Sequence, residues 1–395
     1  MYLRVNEAAG DDVSEAEMSG LDEYYLSDNR PSDQKGEAQF ARKPSSQSRA
    51  SGSDSSCSDG ECGWAKKAEV YDSDLESTML DVGKAAHAKK MRRWKALAKD
   101  KFEEMLLDCI VNTESIPPDY ENIHVDAKII GKLERVTKMS LTMPKAFGHG
   151  VLAGNRVTGA VLWGPPGTGK SLLAKGVARQ SGFNMILAST AELWQKCHGD
   201  DEKVVKALFS MARKTYPCIV FIDEADALLG SRKAGEKRHI RAMLNQFLME
   251  WDGLSSGMDS PFILLATNRP FDLDPAVLRR APMQIQLGIP TLIGRCGILQ
   301  LLLKGEVLAP DVSIARLAMV TERYTGSDLK NMCVAAATEC VGELEQDTSK
   351  RTLEFRHFKS AMETIKATGL SKVLEKEFRN FENHAQFGTQ QADDE

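Results

Sequence analysis

The stretch Gly164-Pro-Pro-Gly-Thr-Gly-Lys-Ser171 decides the fold of this 395-residue chain. It follows the apolar run Val161–Trp163 and leads into the helix-like residues Leu172–Ala174. A glycine-rich loop that ends in Lys-Ser, with a strand before it and a helix after it, is typical of a phosphate-binding loop. Because that loop is a strand–loop–helix unit, its presence predicts an α/β fold for the surrounding chain.

Each residue type in this loop has a chemical role. Gly167 and Gly169 let backbone N–H groups approach phosphate oxygens at the start of a helix. The Lys170 ammonium is predicted to contact the β and γ phosphates, and the Ser171 hydroxyl is predicted to bind Mg²⁺. We therefore predict that ATP and Mg²⁺ are the cofactors. The predicted nucleotide-binding residues of this stretch are Gly164, Pro165, Pro166, Gly167, Thr168, Gly169, Lys170, Ser171 and Leu172.

Two further apolar runs end in polar residues. Cys218–Ile222 is followed by Asp223 and Glu224, and Phe262–Thr267 is followed by Asn268. Since the carboxyl ends of parallel strands meet at one edge of a sheet, these side chains are predicted to lie beside the phosphate-binding loop. Asp223 would hold Mg²⁺, and Glu224 would activate the attacking water. Asn268 would orient that water, although an ordinary turn residue is an equally good interpretation of an asparagine after a strand.

Strand-like and helix-like segments alternate over the middle of the chain, which predicts a parallel sheet covered by helices on both faces. After Pro290 the pattern is helical throughout. The predicted strands are Ala160–Trp163, Asn184–Ala188, Ile219–Ile222, Phe262–Ala266 and Ile285–Leu287. The predicted helices between them are Ser171–Arg179, Asp201–Arg213 and Arg238–Trp251.

Composition divides the chain further. Residues 1–83 contain 18 Asp/Glu against 8 Lys/Arg and many small polar residues, so we expect this part to be disordered. A basic, then amphipathic, helical pattern runs from Lys84 to about Val111. Its basic run is interpreted as a solvated helix face, with a nuclear localisation signal or a contact to an anionic surface as alternatives. The predicted segments are an acidic tail (1–83), a helical linker (84–118), an α/β ATPase domain (119–290), a helical lid domain (291–368) and a C-terminal helix and tail (369–395).

Composition also excludes some classes of protein. The 8 cysteines form no C-x-x-C pair, so we expect no zinc site and a reducing compartment. No run of apolar residues is long enough to span a bilayer, so the chain is expected to be soluble or to reach a membrane only indirectly. The net charge of −5 and the absence of a nucleic-acid-binding motif argue against a nucleic-acid partner.

These motifs together resemble the AAA ATPases. The phosphate-binding loop is joined by Ile222-Asp-Glu-Ala-Asp226, Ala266-Thr-Asn-Arg-Pro270 and Leu273–Arg280. Tyr324-Thr-Gly-Ser-Asp-Leu-Lys330 and Glu250-Trp-Asp-Gly-Leu254 are similar to the meiotic clade of that family. Within the clade, the similarity is greatest to the mitochondrial outer-membrane and peroxisomal enzymes that extract mislocalised tail-anchored proteins. The resemblance covers about residues 100–380.

The resemblance implies a homo-oligomeric ring, usually a hexamer, that acts on protein substrates. It implies that Arg279 is an arginine finger for the neighbouring subunit, and that Gly326 and Ser327 lie near the adenine and ribose. It places Ile123 and His124 beside the base. It also implies a cytoplasmic location at the mitochondrial outer membrane, although this chain has no apolar run that matches the membrane span of those enzymes.

Two positions depart from the family pattern. Gln284 stands where relatives commonly have a second arginine finger, so activation across the interface is expected to be weaker unless Arg280 substitutes. The pore loop reads Lys196-Cys197-His198-Gly199, without the aromatic pair that grips an unfolded chain, and Trp194 is out of register to replace it. We therefore weigh two functions: a ring-forming ATPase that remodels or extracts proteins, which we prefer, and an ATP-binding scaffold or regulatory subunit.

Overall fold

The computed structural model describes residues 84–117, 120, 123–189, 200–231, 238–254, 257, 259–344, 351–369 and 372–387. The predictions for the acidic tail (1–83), for Trp194 and for the pore loop Lys196–Gly199 fall outside these residues. None of the described helices combines the length and the apolarity that a membrane span requires.

The described part consists of helices that alternate with short strands. The helices are α1 (84–97), α2 (Lys101–Leu106), α3 (Ala127–Thr142), α4 (Lys170–Ser181), α5 (Asp201–Lys214), α6 (Ala225–Leu228), α7 (Arg238–Asp252), α8 (Pro275–Arg280), α9 (Leu292–Leu302), α10 (Ile314–Val320), α11 (Gly326–Gly342), α12 (Phe355–Thr364) and α13 (Lys372–Phe387). The strands are β1 (Ile110–Val111), β2 (Gly159–Trp163), β3 (Asn184–Ala188), β4 (Cys218–Ile222), β5 (Phe262–Thr267), β6 (Met283–Gln286), β7 (Val307–Leu308) and β8 (Thr352–Leu353). Short 3-10 helices cover Leu107–Cys109, Thr113–Ser115, Pro144–Gly148, Gly150–Leu152 and Pro270–Asp272.

The main sheet has six strands in the order β1-β3-β4-β5-β2-β6. Strands β2 to β6 are parallel, which confirms the predicted parallel α/β sheet, and β1 is antiparallel to β3. The prediction of a last strand at Ile285–Leu287 is wrong by two residues at its start, because pairing with β2 extends the strand back to Met283. Strand β1 replaces the end of the helix that was predicted up to Val111.

Both faces of the sheet are buried, because apolar side chains on both sides of each central strand meet covering helices. Val161 and Trp163 of β2 belong to the core under α5 and α7. Ala160 and Leu162 of the same strand belong to the core under α3 and α4. This alternation follows from the two-residue period of a strand, and it explains why β2 is an unbroken apolar run.

The segment that was predicted as a helical linker packs on the sheet domain. The predicted continuous helix is interrupted at Asp100, whose side chain accepts hydrogen bonds from the backbone N–H groups of Phe102 and Glu103 and so caps α2. Trp94 and Leu106 are buried in the core under α5 and α7. The buried Glu103 carboxylate accepts from Lys214 of α5, so α2 is held by both packing and charge.

The residues after Pro290 form a second core around α9 to α12. Its centre contains Leu299, Leu317, Leu329 and Phe358, each fully buried. The expectation that this part is wholly helical is wrong in one respect, since β7 and β8 pair in parallel. Each of these strands has only two residues, which is too short for a recognisable sequence pattern.

Helix α13 follows the lid and packs on the sheet domain. Phe378 stacks on Trp163 with ring centroids 5.8 Å apart, and Phe381 meets the same indole edge-on at 5.2 Å. Trp163 is the last residue of β2 and directly precedes the phosphate-binding loop. The aromatic contact therefore supports the strand that presents this loop.

Candidate nucleotide-binding site

The loop between β2 and α4 is built around glycines with left-handed backbone angles. At Gly164, φ is +146° and a Cβ would lie 2.1 Å from the Leu287 carbonyl oxygen. At Gly167, φ is +77° and a Cβ would lie 2.7 Å from Thr325 Oγ1. Only glycine fits at these two positions, because one presses against the end of the sheet and the other against the start of α11.

Lys170 is the first residue of α4 and is buried under the loop. Its Nζ donates to the carbonyl oxygens of Gly164 (2.9 Å) and Pro165 (2.7 Å). Burial lowers the pKa of Lys170 to about 8, while the carboxylates of Asp223 and Asp226 oppose that shift. Among the described residues its hydrogen-bond acceptors are carbonyl oxygens only, so this buried cation is well placed to receive phosphate oxygens.

Ser171 and Asp223 meet at the tip of β4. The Ser171 hydroxyl donates to Asp223 Oδ2 at 2.6 Å, so the two predicted magnesium ligands are adjacent. Hydroxyl and carboxylate oxygens are the donors that Mg²⁺ prefers, and the ion commonly bridges such groups and substrate phosphates. The residues present therefore fit a magnesium ion bound together with ATP.

Glu224 has an unusual backbone conformation for its position. Its φ of +51° lies in the left-handed region, where a residue other than glycine is rare. Its N–H donates to Asp223 Oδ1 at 3.0 Å, and its side chain is exposed. Strained residues of this kind cluster at active sites, and here the strain falls on the proposed general base.

Asn268 follows β5 at the same edge of the sheet. Its Oδ1 is buried and has no hydrogen-bond partner within the described part of the chain. The preceding residue is fixed, since Thr267 Oγ1 donates to Asp226 Oδ1 at 2.6 Å and accepts from the Arg269 N–H at 2.9 Å. A buried polar atom without a partner points to a missing ligand or water, which favours the water-orienting role over an ordinary turn residue.

One cavity of about 500 Å³ brings the predicted phosphate, magnesium and water-activating residues together. It receives side chains or backbone from the loop, β4, β5 and α11. Its lining residues are Pro166, Gly167, Gly169, Lys170, Ser171, Leu172, Ser189, Asp223, Glu224, Asn268 and Ser327.

A second cavity of about 420 Å³ adjoins the first and is largely apolar. Thr168 and Gly326 line it, while their neighbours Gly167 and Ser327 line the polar cavity. The His124 ring closes one side and lies so near α9 that a Cβ on Gly297 would come within 2.3 Å of it. A polar cavity beside an apolar one suits the phosphates and the base of a single nucleotide.

The start of α11 holds the predicted residue Ser327 and two residues, Thr325 and Asp328, that the sequence analysis did not assign to the site. The Ser327 N–H donates to the Gly167 carbonyl oxygen at 3.1 Å and so ties the lid to the loop. Thr325 and Asp328 form a capping box that holds this end of the helix, and Asp328 also accepts two hydrogen bonds from Thr368. The spacing Thr-x-x-Asp is the sequence signal that identifies such a box.

The predicted arginine finger lies outside this cavity. Arg279 is exposed at the end of α8 and makes no ion pair or hydrogen bond with any described residue. Arg280 binds the Asp252 carboxylate through two hydrogen bonds of 2.6 Å, which it would have to give up to act as a substitute finger. Gln284 lies in β6 with its Oε1 buried and without a partner among the described residues.

Two parts of the chain match known protein families. Residues 160–290 match the ATPase family associated with various cellular activities (AAA), and residues 311–359 match the AAA+ lid domain. The chain therefore contains an AAA domain followed by an AAA+ lid domain. The first match covers strands β2 to β6 and the phosphate-binding loop, and the second covers α10, α11, β8 and the start of α12.

Curated proteins that are similar to this chain have mitochondrial names. The outer mitochondrial transmembrane helix translocase of Homo sapiens is 37% identical over 219 residues, which cover 55% of this chain and 60% of the relative. The translocase of Danio rerio is 35% identical over 237 residues, covering 60% and 62%. The mitochondrial sorting homolog of Caenorhabditis elegans is 36% identical over 223 residues, covering 56% and 65%. The chain thus spans less than two thirds of these relatives, and the predicted resemblance to mitochondrial outer-membrane AAA proteins is confirmed.

Proposed function

We propose that this AAA protein hydrolyses ATP to ADP and phosphate and uses the reaction to remodel or extract protein substrates. The observation that carries the proposal is the convergence of the Lys170, Ser171, Asp223, Glu224 and Asn268 side chains on one cavity. These five groups are a cation, two magnesium ligands, a carboxylate base and an amide, which is the set that phosphoryl transfer to water requires.

The proposed chemistry assigns one task to each group. The Lys170 ammonium exchanges its two carbonyl acceptors for phosphate oxygens, and Ser171 and Asp223 hold Mg²⁺. Magnesium, when bound, neutralises charge on the β and γ phosphates. Glu224 accepts a proton from the attacking water, and the buried Oδ1 of Asn268 accepts a second hydrogen bond from that water.

The proposed assembly is a homo-oligomeric ring, most simply a hexamer. Support comes from Arg279, a cation exposed at the end of α8 that has no counter-ion within the described part of the chain. An arginine held in that way suits the γ-phosphate bound by a neighbouring subunit, where it stabilises developing negative charge. Since Arg280 is bound to Asp252, Arg279 would be the finger contributed by α8.

The proposed substrates are membrane proteins with a transmembrane helix, handled from the cytoplasmic side of the mitochondrial outer membrane. The support is the similarity to relatives that are named outer mitochondrial transmembrane helix translocases. A non-enzymatic AAA scaffold or regulatory subunit is the second candidate. Two sequence features favour it, namely Gln284 at the second finger position and the non-aromatic stretch Lys196–Gly199.

The deciding experiment measures phosphate release and ATP binding by the purified full chain and by Glu224→Gln. We expect the wild type to turn over, and the variant to bind ATP with similar affinity while turnover falls at least about a hundredfold, because proton transfer is removed and binding is not. The matched control is Glu202→Gln, an exposed glutamate in the first turn of α5, which should behave as wild type. Equal background release by wild type and Glu224→Gln would establish the scaffold instead.

A further inference from the structure

Gly297 is a buried glycine in the middle of lid helix α9. Glycine is a poor residue for a helix interior, because it loses more backbone entropy on folding than any other residue. Its place there is explained by a contact that a larger side chain would prevent. The contact is made by His124, which lies in the segment before α3.

The His124 ring lies face-on against Gly297. A Cβ at Gly297 would be 2.3 Å from Cε1, 2.4 Å from Nε2 and 2.5 Å from Nδ1 of the ring. An approach in the plane of the ring would bring one ring atom much closer than its two neighbours, so these near-equal distances place Gly297 over the ring face. No residue with a Cβ fits at position 297 while the ring keeps this place.

The other face of the ring is open. His124 remains exposed despite its contact with α9, and it lines the apolar cavity of about 420 Å³. Among the described residues that line this cavity, His124 has the only aromatic side chain. Aliphatic side chains, such as those of Ile129, Ile293 and Ile298, supply much of the remaining wall. The cavity thus offers a ligand one flat π surface.

We propose that the His124 ring stacks on the base of the bound nucleotide, and that Gly297 is the positioning residue that holds the ring in this orientation. The inference rests on the proposed binding of ATP across the two adjoining cavities. A base and an aromatic side chain attract each other through their π faces, and a base offers such a face without any hydrogen bond to the ring. Base, imidazole and Gly297 would then form three successive layers.

The proposed stack bridges the sheet domain and the lid. His124 precedes α3, whose Leu133 is buried in the core of the sheet domain. Gly297 belongs to α9, whose Leu299 is buried in the core of the lid. A base that presses the ring against Gly297 therefore holds α9 close to the segment before α3.

Isothermal titration calorimetry of the purified full chain with Mg-ATP and with inorganic triphosphate tests the stack. Triphosphate can occupy the phosphate cavity but has no base, so the comparison isolates the effect of the ring. His124→Ala and Gly297→Ala should each weaken ATP binding at least about fivefold and leave triphosphate binding within about twofold of wild type. His124→Phe keeps a flat ring and should bind ATP within about threefold of wild type.

A double variant separates the positioning role from damage to the lid. Adding Gly297→Ala to His124→Ala should cause no further loss of ATP binding, since no ring remains to be displaced. The matched control is Gly131→Ala in the interior of α3, where a Cβ would meet nothing within 4 Å. This control should bind both ligands as wild type does.

Three results would overturn the proposal while the proposed function stands. They are unchanged ATP binding by His124→Ala, an equal loss from Gly297→Ala with and without His124, and a loss of triphosphate binding as large as that of ATP binding. His124→Phe that binds ATP as weakly as His124→Ala would also exclude stacking. A wild type that binds neither ligand would instead refute the proposed function, and the stack with it.

Discussion

Replacement of Asn268 by alanine should separate stability from turnover. Its Oδ1 is buried without a hydrogen-bond partner among the described residues, and such an atom costs about 1–3 kcal/mol of folding free energy. Truncation removes that atom at the wall of an existing cavity of about 500 Å³, so it creates no new enclosed void. We expect a net gain of about 1 kcal/mol in the free energy of unfolding, or about 2–3 °C in the thermal midpoint.

The same change should abolish most ATP turnover. A positioned polar group that acts on the reacting water or phosphate contributes about a hundredfold to a thousandfold in rate. Phosphate release should fall by at least about a hundredfold, whereas the dissociation constant for ATP should change by less than about threefold, since the amide is predicted to contact water and not the nucleotide.

The assay is nucleotide-free thermal unfolding alongside phosphate release, with Asn184→Ala as the matched control. Asn184 Nδ2 donates to the Thr215 carbonyl oxygen at 2.6 Å, so its truncation should lower stability by about 1 kcal/mol and leave turnover intact. The two asparagines should therefore show opposite patterns. An Asn268→Ala protein that is less stable than wild type and still hydrolyses ATP would refute the reasoning.

Three further predictions concern the lysine, the finger and the lid. Because burial lowers the pKa of Lys170 to about 8, the folded protein loses this proton at lower pH than the unfolded chain does. In thermal melts without nucleotide, the stability of wild type relative to Lys170→Met should therefore rise between pH 8 and 10.5. Parallel pH profiles for the two proteins would contradict this prediction. Arg279→Ala should bind ATP but not hydrolyse it. Mixing this variant with Lys170→Ala should restore part of the phosphate release, since an intact finger and an intact loop can then meet from different subunits. No restoration in mixed rings would count against a shared site. Asp328→Asn should weaken the four hydrogen bonds from Thr325 and Thr368, and should therefore lower the protection of lid amides in hydrogen exchange by about 2–4 kcal/mol and weaken ATP binding. Unchanged hydrogen exchange in the lid would rule out this role for Asp328.

The phosphate cavity was predictable because its parts are local in sequence. Each of its main contributors is an apolar run that ends in a recognisable polar residue, as at Asp223 and Asn268, and parallel pairing brings such ends to one edge. What local pattern could not supply was the state of each side chain. The Asn268 oxygen, buried without a hydrogen-bond partner in the described part of the chain, and the left-handed backbone of Glu224 depend on the assembled sheet edge.

The sequence-based predictions were wrong or incomplete where contacts between distant parts of the chain decide the structure. Strand β1 exists only through its pairing with β3, and two residues carry no period of their own. The helix predicted from Lys84 to Val111 is broken at Asp100, where a capping side chain outweighs a helical pattern that continues on both sides. The ion pair of Arg280 could not be predicted either, because its partner, Asp252, lies at the end of a different helix.

The aromatic contact between Trp163 and Phe378 decides where a recombinant fragment of this protein should stop. A fragment trimmed at the end of the lid, before Lys372, would leave the indole that precedes the phosphate-binding loop open to water. Such a hollow invites aggregation and loosens the strand that carries the loop, although no residue of the cavity itself has been removed. Affinity tags and fluorescent fusions therefore belong beyond Phe387, where the last described helix has already closed over the tryptophan.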